Sequence, residues 1–291
     1  MIKIQNLTKV FPPNVYAVND LTLDINEGIT GLIGENGAGK STLLRLIADV
    51  YKKDSGQIYV DGVPNNEDEA KDNVFFLSDD PYYNGNDNAL QNLQFYQSLF
   101  DLDEVVFKRM MDKLSLPLDR KVSTFSKGMR RQLFLCIALS MNAKHILLDE
   151  AFDGLDPIVQ EVVKEEIVNY SKEKLFLISS HNLLSLERLC DNFILLSKGV
   201  LKKEEKKADV GKSLYKYQVL FTNEVSEEDL KNNGVNVVSL KKIGSVSYLI
   251  TLSDDKELIK EKYHPTLIEN VVIDKDEALK LEMMMREGDI Q

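Results

Sequence analysis

Residues 34–41 read Gly34-Glu35-Asn36-Gly37-Ala38-Gly39-Lys40-Ser41 and match the pattern G-x-x-x-x-G-K-[ST] at every fixed position. An apolar run at residues 29–33 predicts a strand before this loop, and the apolar spacing of residues 41–49 predicts a helix after it. Glycines let such a loop turn successive backbone N–H groups inward, and the start of the helix adds partial positive charge. The sequence therefore predicts a nucleotide phosphate site between a strand and a helix.

The residues of this loop have different predicted tasks. Lys40 is positioned to reach the β- and γ-phosphates and is a predicted catalytic residue. The hydroxyl of Ser41 is a predicted Mg²⁺ ligand, and Thr42 is a further phosphate donor. The other predicted nucleotide contacts come from the rest of the loop, namely Gly34, Glu35, Asn36, Gly37, Ala38 and Gly39.

Two carboxylates follow an apolar run at residues 145–148. In phosphoryl transfer, one acid at the sheet edge holds Mg²⁺ and another residue orients the attacking water. Asp149 suits the first task and Glu150 the second, because neighbouring side chains of a strand point to opposite faces. Together with the phosphate loop, this acid pair predicts ATP hydrolysis.

The chain of 291 residues is 43% hydrophobic and 29% charged, with a net charge of −11. This composition is typical of a globular protein, and the negative charge argues against broad nucleic-acid binding. Cys136 and Cys190 lie in apolar runs, which predicts small buried side chains in a reducing compartment. The N-terminus lacks a signal-peptide pattern, and the longest apolar run, near residues 133–141, is shorter than the ~20 residues of a membrane span. We therefore expect a cytosolic chain.

The pattern of the sequence changes after residue 205. A charged stretch without an apolar stripe, residues 202–209, predicts a solvated connector or an exposed helix at a domain boundary, with a surface helix inside one domain as the alternative. Alternating and helical runs then follow in the order β-α-β-β-α-β, with a final helix from Asp274. This order is typical of a ferredoxin-like α+β module.

The segment Phe125-Ser126-Lys127-Gly128-Met129-Arg130-Arg131-Gln132 lies between the phosphate loop and the acid pair. It resembles the LSGGQ signature of the ABC ATPases: Ser126 and Gly128 match, whereas Lys127 and Met129 replace the usual glycine and glutamine. The resemblance implies that Ser126 and Gly128 contact the γ-phosphate of ATP held by a second subunit in a head-to-tail dimer. A hydroxyl and a backbone N–H at a helix start are suited to bind an anion.

Other positions resemble further motifs of this family. The segment Gly154-Leu155-Asp156-Pro157 resembles the D-loop, so the resemblance implies that Asp156 lies near the nucleotide and the partner subunit. His181 resembles the switch histidine that senses the γ-phosphate. Phe11 occupies the position of the aromatic residue that stacks on adenine, with Val18 nearby.

One position departs from the family. The glutamine of the Q-loop should follow a strand at residues 74–77, and the sequence has Ser78-Asp79-Asp80 there. Any of these three residues is a candidate for the glutamine's role. Asp79 is a predicted nucleotide and Mg²⁺ ligand, with a shorter reach than glutamine and a full charge.

The resemblance covers residues 1–205 and implies the P-loop ABC ATPase fold: a RecA-like core, an antiparallel β subdomain and a helical subdomain at about residues 80–143. Residues 206–291 form a C-terminal α+β extension of ferredoxin-like order. The implied function is an ATP-binding, ATP-hydrolysing subunit that uses Mg²⁺ at the cytoplasmic face of the cell membrane. The implied partners are a transmembrane permease subunit and a second ATPase subunit, identical or paralogous, and no nucleic acid is expected.

Among transporters, the chain resembles the ABC-2-type exporter ATPases, which handle peptides, drugs, lipids or surface polymers. A peptide exporter, such as a phenol-soluble modulin exporter, is one candidate, and the cargo stays open. The alternative is a soluble ABC ATPase that acts in assembly or nucleic-acid processing. The chromosome and DNA-repair type has a long heptad coiled coil before the signature, and the interval from Lys40 to Phe125 shows no heptads. Ribosome-associated factors carry two cassettes in one chain, whereas this chain has one.

Overall fold

The structure is a computed structural model and describes residues 1–181, 186, 188–206, 215–253 and 256–271. Contacts between Cα atoms divide the chain into two compact units, Met1–Glu204 and Glu205–Gln291. Within the described part of the chain, no helix has the length and apolar character that are needed to cross a membrane.

The first unit is an α/β structure with ten strands and six α-helices among its described residues. The strands are β1 (Ile2–Phe11), β2 (Val15–Ile25), β3 (Gly28–Ile33), β4 (Ser55–Val60), β5 (Val63–Pro64), β6 (Val74–Leu77), β7 (His145–Leu148), β8 (Leu175–Ser180), β9 (Asn192–Ser197) and β10 (Val200–Lys206). The helices are α1 (Lys40–Ile47), α2 (Asp68–Asp72), α3 (Ala89–Gln97), α4 (Glu104–Lys113), α5 (Lys127–Ser140) and α6 (Pro157–Tyr170).

The strands of this unit form two sheets. The smaller sheet has the order β2-β1-β4-β5, and its neighbouring strands are antiparallel. The larger sheet has the order β10-β9-β3-β8-β7-β6, with parallel pairing from β9 through β6. Strands β7 and β8 are buried along their whole length, as expected for parallel strands that are covered on both faces.

The register of the larger sheet brings three strand ends to one edge. Ile33 of β3 lies opposite Ser180 of β8, and Leu148 of β7 lies opposite Ile178 of β8. The phosphate loop follows β3, the acid pair follows β7, and His181 follows β8. Ligands of open parallel sheets bind outside the carboxyl ends of the strands, so this edge is the place to look for the site.

A helical region between β6 and β7 contains α3, α4 and α5. Each of these helices has a polar N-cap: Asn88 in a capping box with Gln91, Asp103 before α4, and Ser126 before α5. The caps satisfy backbone N–H groups at the helix starts, which otherwise have no partner within the helix. Helix α5 is almost fully buried from its fifth residue onward, since both faces of its later turns are covered.

Both cysteines of the chain lie in the interior. Cys136, in α5, is 0% exposed and Cys190, before β9, is 1% exposed. Burial raises the pKa of the Cys136 thiol far above its usual value, because the thiolate would be formed away from water.

The second unit contains one antiparallel sheet and two helices among its described residues. In chain order these elements are β11 (Tyr215–Leu220), α7 (Glu227–Asn232), β12 (Val237–Lys242), β13 (Ser247–Leu252), α8 (Glu257–Tyr263) and β14 (Leu267–Val271). The strand order is β12-β13-β11-β14. This is a split β-α-β arrangement, the ferredoxin-like order that the sequence predicts. The predicted helix from Asp274 lies outside the described residues.

The prediction of a connector or helix at residues 202–209 is wrong for residues 202–206. Strand β10 includes them and pairs with β9 at the edge of the larger sheet. Backbone pairing with β9 determines this conformation, and edge strands accept charged residues that would be unfavourable in a central strand. Residues 207–209 lie outside the described part of the chain.

Candidate active site

Two glycines of the phosphate loop lie where a side chain would not fit. A Cβ atom on Gly34 would lie 2.3 Å from the carbonyl oxygen of Leu196, and one on Gly39 would lie 2.1 Å from that of Ala17. Gly39 also has a φ of +103°, a conformation that glycine adopts at no steric cost. The loop is therefore held closely between β9 and β2, with Gly34 and Ala38 buried and Glu35, Asn36 and Gly37 exposed.

The Lys40 side chain is 5% exposed and lies inside this loop. Its Nζ atom donates to the carbonyl oxygens of Gly34 at 2.6 Å and Glu35 at 3.2 Å, and lies 3.4 Å from Oε1 of Glu150. These contacts place the positive charge of Lys40 at the start of α1, where the backbone N–H groups also attract an anion. The side chains of Ser41 and Thr42, on the first turn of α1, are half-buried beside it.

Asp149 is the fully buried member of the acid pair. Its Oδ1 atom accepts hydrogen bonds from the Ser41 hydroxyl at 3.0 Å and the Ser179 hydroxyl at 2.7 Å. Its Oδ2 atom is buried and has no hydrogen-bond partner among the described residues. A buried carboxylate oxygen without a partner is unfavourable, and a divalent cation beside it would satisfy it.

The donor set at this point fits Mg²⁺. The described residues contain no group of three or more His, Cys, Asp or Glu side chains that could hold a metal. Mg²⁺ keeps several waters and is typically held by one or two carboxylates together with substrate phosphates. Asp149 and Ser41 supply one carboxylate and one hydroxyl next to the phosphate loop.

Glu150 lies between the lysine of the loop and a histidine. Its Oε2 atom is 2.9 Å from Nδ1 of His181, while Oε1 faces Lys40. The backbone of Glu150 has a φ of +47°, a left-handed conformation that costs a non-glycine residue roughly 1–2 kcal/mol. Its N–H donates to the Ser179 hydroxyl at 2.9 Å. A carboxylate held in this way beside a phosphate site is suited to orient a water molecule.

The predicted adenine contacts are only partly accessible. Phe11 is half-buried, and its ring packs edge-on against Tyr51 with centroids 5.6 Å apart. Val18, in contrast, is 0% exposed and belongs to the core under β2, so its side chain does not face a ligand surface. The preceding residue, Ala17, is half-buried and adjoins Gly39. Since side chains alternate along a strand, we expect Ala17, and not Val18, to be accessible to a ligand.

The signature residues lie at the exposed start of α5. Ser126 is the N-cap, and its hydroxyl accepts a hydrogen bond from the N–H of Met129 at 3.1 Å. A Cβ atom on Gly128 would lie 3.2 Å from the carbonyl oxygen of Gly154, so the signature packs against the segment that resembles the D-loop. Asp156 caps α6 by accepting from the N–H groups of Ile158 and Val159, both at 3.0 Å.

Asp79 makes no hydrogen bond with the Asp149–Ser41 pair. Its side chain is exposed, and no hydrogen bond joins its carboxylate to Ser41 or Asp149, all three being described residues. It borders a cavity of about 240 Å³ that is lined by Asp79, Asp80, Pro81, Tyr83, Lys127, Arg130, Arg131, Phe134 and Asp153. A direct role of Asp79 in Mg²⁺ binding therefore stays a prediction.

The sequence did not predict Ser179 and Arg131 as residues of the site. Ser179 hydrogen-bonds both acids, and the parallel register of β7 and β8 places it level with Asp149. Arg131 is 6% exposed, and its guanidinium reaches the backbone on either side of Glu150. One signal was available: Arg131 lies three and four residues before Phe134 and Leu135 of the longest apolar run, a spacing that brings side chains together on a helix.

The chain is similar to proteins of known families. The family model described as ABC transporter matches residues 18–153. The lantibiotic transport ATP-binding protein SrtF of Streptococcus pyogenes is 32% identical over 227 residues, which cover 76% of this chain and 98% of SrtF. The ABC transporter ATP-binding protein NatA of Bacillus subtilis is 34% identical over 197 residues, covering 64% of this chain and 80% of NatA.

A solved structure has the same fold. A dimeric ATP-binding cassette in a post-hydrolysis state, bound to ADP and Pi, superimposes with a TM-score of 0.62 at 23% identity. The match covers 71% of this chain and 98% of the cassette. The predicted ABC ATPase fold is thereby confirmed. The geometry at the sheet edge agrees with the ATP and Mg²⁺ chemistry of the family. The extent of the match to SrtF shows that this chain belongs to the ATP-binding proteins of the ABC transporter family.

Proposed function

We propose that this chain is the ATP-hydrolysing subunit of an exporter whose membrane permease is a separate protein. One observation carries the hydrolytic part: Glu150 lies between Lys40 and His181, directly after the Asp149–Ser41 pair. The similarity to transport ATP-binding proteins supports the coupling to transport. The place of action that we propose is the cytoplasmic face of the membrane.

Each residue of the site has a role that follows from its position. The loop residues 34–39 bind phosphate oxygens through backbone N–H groups, and Lys40 neutralises negative charge on the terminal phosphates. Asp149 and Ser41 hold Mg²⁺, which supplies charge stabilisation to the phosphates when it is bound. Glu150 orients the attacking water, and His181 is positioned to contact the terminal phosphate and to fix the Glu150 carboxylate.

We further propose a head-to-tail pair of such chains, either two copies or one copy with a paralogue. Ser126 and Gly128 lie at an exposed helix start, which is suited to contact the phosphate of a nucleotide bound by the other chain. The solved cassette that shares this fold is a dimer. The segment around Asp156 would lie at the same interface.

We propose an amphipathic peptide as the exported cargo, because SrtF is a lantibiotic transport ATP-binding protein. The cargo itself would contact the permease. The segment of the chain that we assign to the permease contact is the helical region at residues 80–125, which begins directly after β6.

The Glu150→Gln variant tests the hydrolytic role. Glutamine keeps the size of the side chain and removes its charge, so we expect ATP affinity within a few-fold of the wild type. We expect turnover to fall by at least 10²-fold, because general-base or water-orienting groups contribute 10²–10⁴-fold. Fluorescent-nucleotide titration and a phosphate-release assay measure the two quantities. Full ATPase activity in this variant would exclude the proposed role of Glu150.

A further inference from the structure

Arg131 donates hydrogen bonds to several main-chain carbonyl groups of the first unit. Its Nη1 atom donates to the carbonyl oxygens of Ser78 at 2.9 Å and Asp79 at 3.3 Å. Its Nε atom donates to the carbonyl oxygen of Ala151 at 3.1 Å, and its Nη2 atom donates to the carbonyl oxygen of Asp149. Four main-chain carbonyl groups from two separate segments therefore converge on one guanidinium group.

Two of these carbonyl groups lie on either side of Glu150. The Asp149 carbonyl belongs to the peptide that joins Asp149 to Glu150, and the Ala151 carbonyl belongs to the peptide that joins Ala151 to Phe152. Between them, Glu150 has its left-handed φ of +47°. Arg131 on one side and the Ser179 hydroxyl on the other thus contact the backbone in which this conformation occurs. The conformation in turn places the Glu150 carboxylate between Lys40 and His181.

The other two carbonyl groups belong to the segment after β6. Arg131 itself lies on α5, five positions after Ser126, which caps that helix. The side chain therefore connects the signature helix, the segment that replaces the Q-loop, and the catalytic acid. A movement of α5 would be transmitted to Glu150 through a single buried side chain.

The surroundings of Arg131 restrict which other side chains could take its place. No carboxylate of the described residues lies within ion-pair distance of the guanidinium. Burial lowers the pKa of Arg131, whereas the charges of Asp79, Asp149, Asp153 and Glu150 oppose that effect. Arginine presents five N–H donors in a fixed planar arrangement, which the single ammonium group of lysine does not reproduce.

We propose that Arg131 is a positioning residue for ATP hydrolysis: it sets the orientation of Glu150 and makes that orientation depend on the position of the signature helix. Arg131 touches no reacting atom in this assignment and acts through the backbone of residues 149–151. The inference rests on the proposed role of Glu150 and extends it.

The test compares Arg131→Lys with Arg109→Lys in the full-length chain. Arg109, on α4, contacts Glu166 and Tyr170 of α6 and serves as the matched control. We expect Arg131→Lys to bind ATP within about threefold of wild type and to lose at least about tenfold in kcat, because small displacements of catalytic groups can cost up to 10²-fold. The Arg109→Lys variant should keep its kcat. A wild-type kcat in folded Arg131→Lys, or equal losses of kcat and ATP affinity, would overturn the proposal.

A double variant separates this proposal from the role of Glu150. If Arg131 acts through Glu150, adding Arg131→Lys to Glu150→Gln should not lower the residual rate further. A further tenfold loss would show an independent effect and reject the inference, although Glu150 would keep its role. Full activity of Glu150→Gln alone would instead reject the proposed function.

Folding of the variants is checked by thermal unfolding. Should Arg131→Lys fail to fold, Arg131→Gln takes its place, since its amide keeps two donors and carries no charge. For Arg131→Gln we likewise expect a loss of kcat with ATP affinity close to that of the wild type. Failure of both variants to fold would mean that Arg131 has a purely structural role and would contradict the proposal.

Discussion

At the residue scale, His145 lies at the amino end of β7, where its side chain is buried. Its Nε2 atom is 2.9 Å from Oδ2 of Asp61, and its Nδ1 atom has no hydrogen-bond partner among the described residues. Burial lowers the pKa of His145; the Asp61 carboxylate opposes this effect, while the N-terminus and Lys144 add to it. Protonation would leave a buried N–H group without an acceptor, which is unfavourable.

We therefore predict that His145 makes the protein less stable at acid pH. A group with a lowered folded-state pKa contributes stability above its unfolded pKa, here about 6.5, and this contribution is lost as the pH falls. The His145→Gln variant keeps a donor for Asp61 and cannot titrate. Its free energy of unfolding should change less between pH 7.5 and 5.5, by up to about 1.4 kcal/mol, because this interval extends one pH unit below the unfolded pKa. Denaturant unfolding at both pH values measures this, and identical pH dependence in both proteins would contradict it.

The sequence predicted single residues well where a motif fixed their spacing. Lys40, Ser41 and Asp149 come together because the loop follows β3 and the acid follows β7, and strand order then places both at one sheet edge. The roles of Arg131 and Val18 could not be predicted from the spacing of a motif. Their roles depend on which side of a helix or strand is covered by other parts of the chain, and only the tertiary structure determines that.

At the scale of elements, Phe95 of α3 forms an exposed apolar surface with Tyr82, which precedes the helix, and Leu99, which follows it. These side chains are 68%, 42% and 60% exposed, and the rings of Tyr82 and Phe95 lie 5.4 Å apart. Adjacent apolar side chains at a protein surface often mark an interaction site. The surface lies in the region that we assign to the permease contact.

We predict that Phe95→Ser with Leu99→Ser weakens binding to membranes and leaves basal ATPase activity unchanged. The reason is that both side chains are exposed, by 42% and 60%, and neither belongs to the buried core. Co-sedimentation with vesicles prepared from the source cells measures binding. Val105→Ser, on α4, is the control, because Val105 is 76% exposed and lies outside the α3 surface. Unchanged co-sedimentation of the double variant would argue against this surface.

Elements with clear periodicity were predicted more reliably than the charged edge strand. Helix α5 and strands β7 and β8 follow from apolar spacing, and the β-α-β-β-α-β order of the second unit follows from alternation and turn residues. Strand β10 was missed because its residues have no apolar pattern. Its conformation comes from backbone pairing with β9, to which it is joined by the two-residue turn Lys198-Gly199.

At the scale of the whole molecule, each unit has its own hydrophobic core. Leu32, Leu43 and Leu177 belong to the core of the first unit, and Val219 and Ile250 to that of the second. A separate core is what a domain needs to fold by itself. We propose on this basis that the boundary near residue 205 separates two domains.

This proposal predicts two transitions in differential scanning calorimetry. In the Glu150→Gln variant, which should not consume ATP, a ligand concentration of 100 times Kd should stabilise the first unit by about 2.7 kcal/mol. The unfolding temperature of the second unit should not change, because the nucleotide contacts that we propose all belong to residues 11–181. A single transition, or an equal shift of both, would contradict independent folding.

The buried cysteines have a practical consequence for labelling. The chain has two cysteines in all, and both thiols are shielded from solvent. Maleimide reagents attack an accessible thiolate, so neither site should react while the protein is folded. Ile158, next to the segment that resembles the D-loop, is 79% exposed. An Ile158→Cys variant would therefore take up one fluorophore without removal of the native cysteines, and energy transfer between two labelled copies could follow their approach when ATP is added.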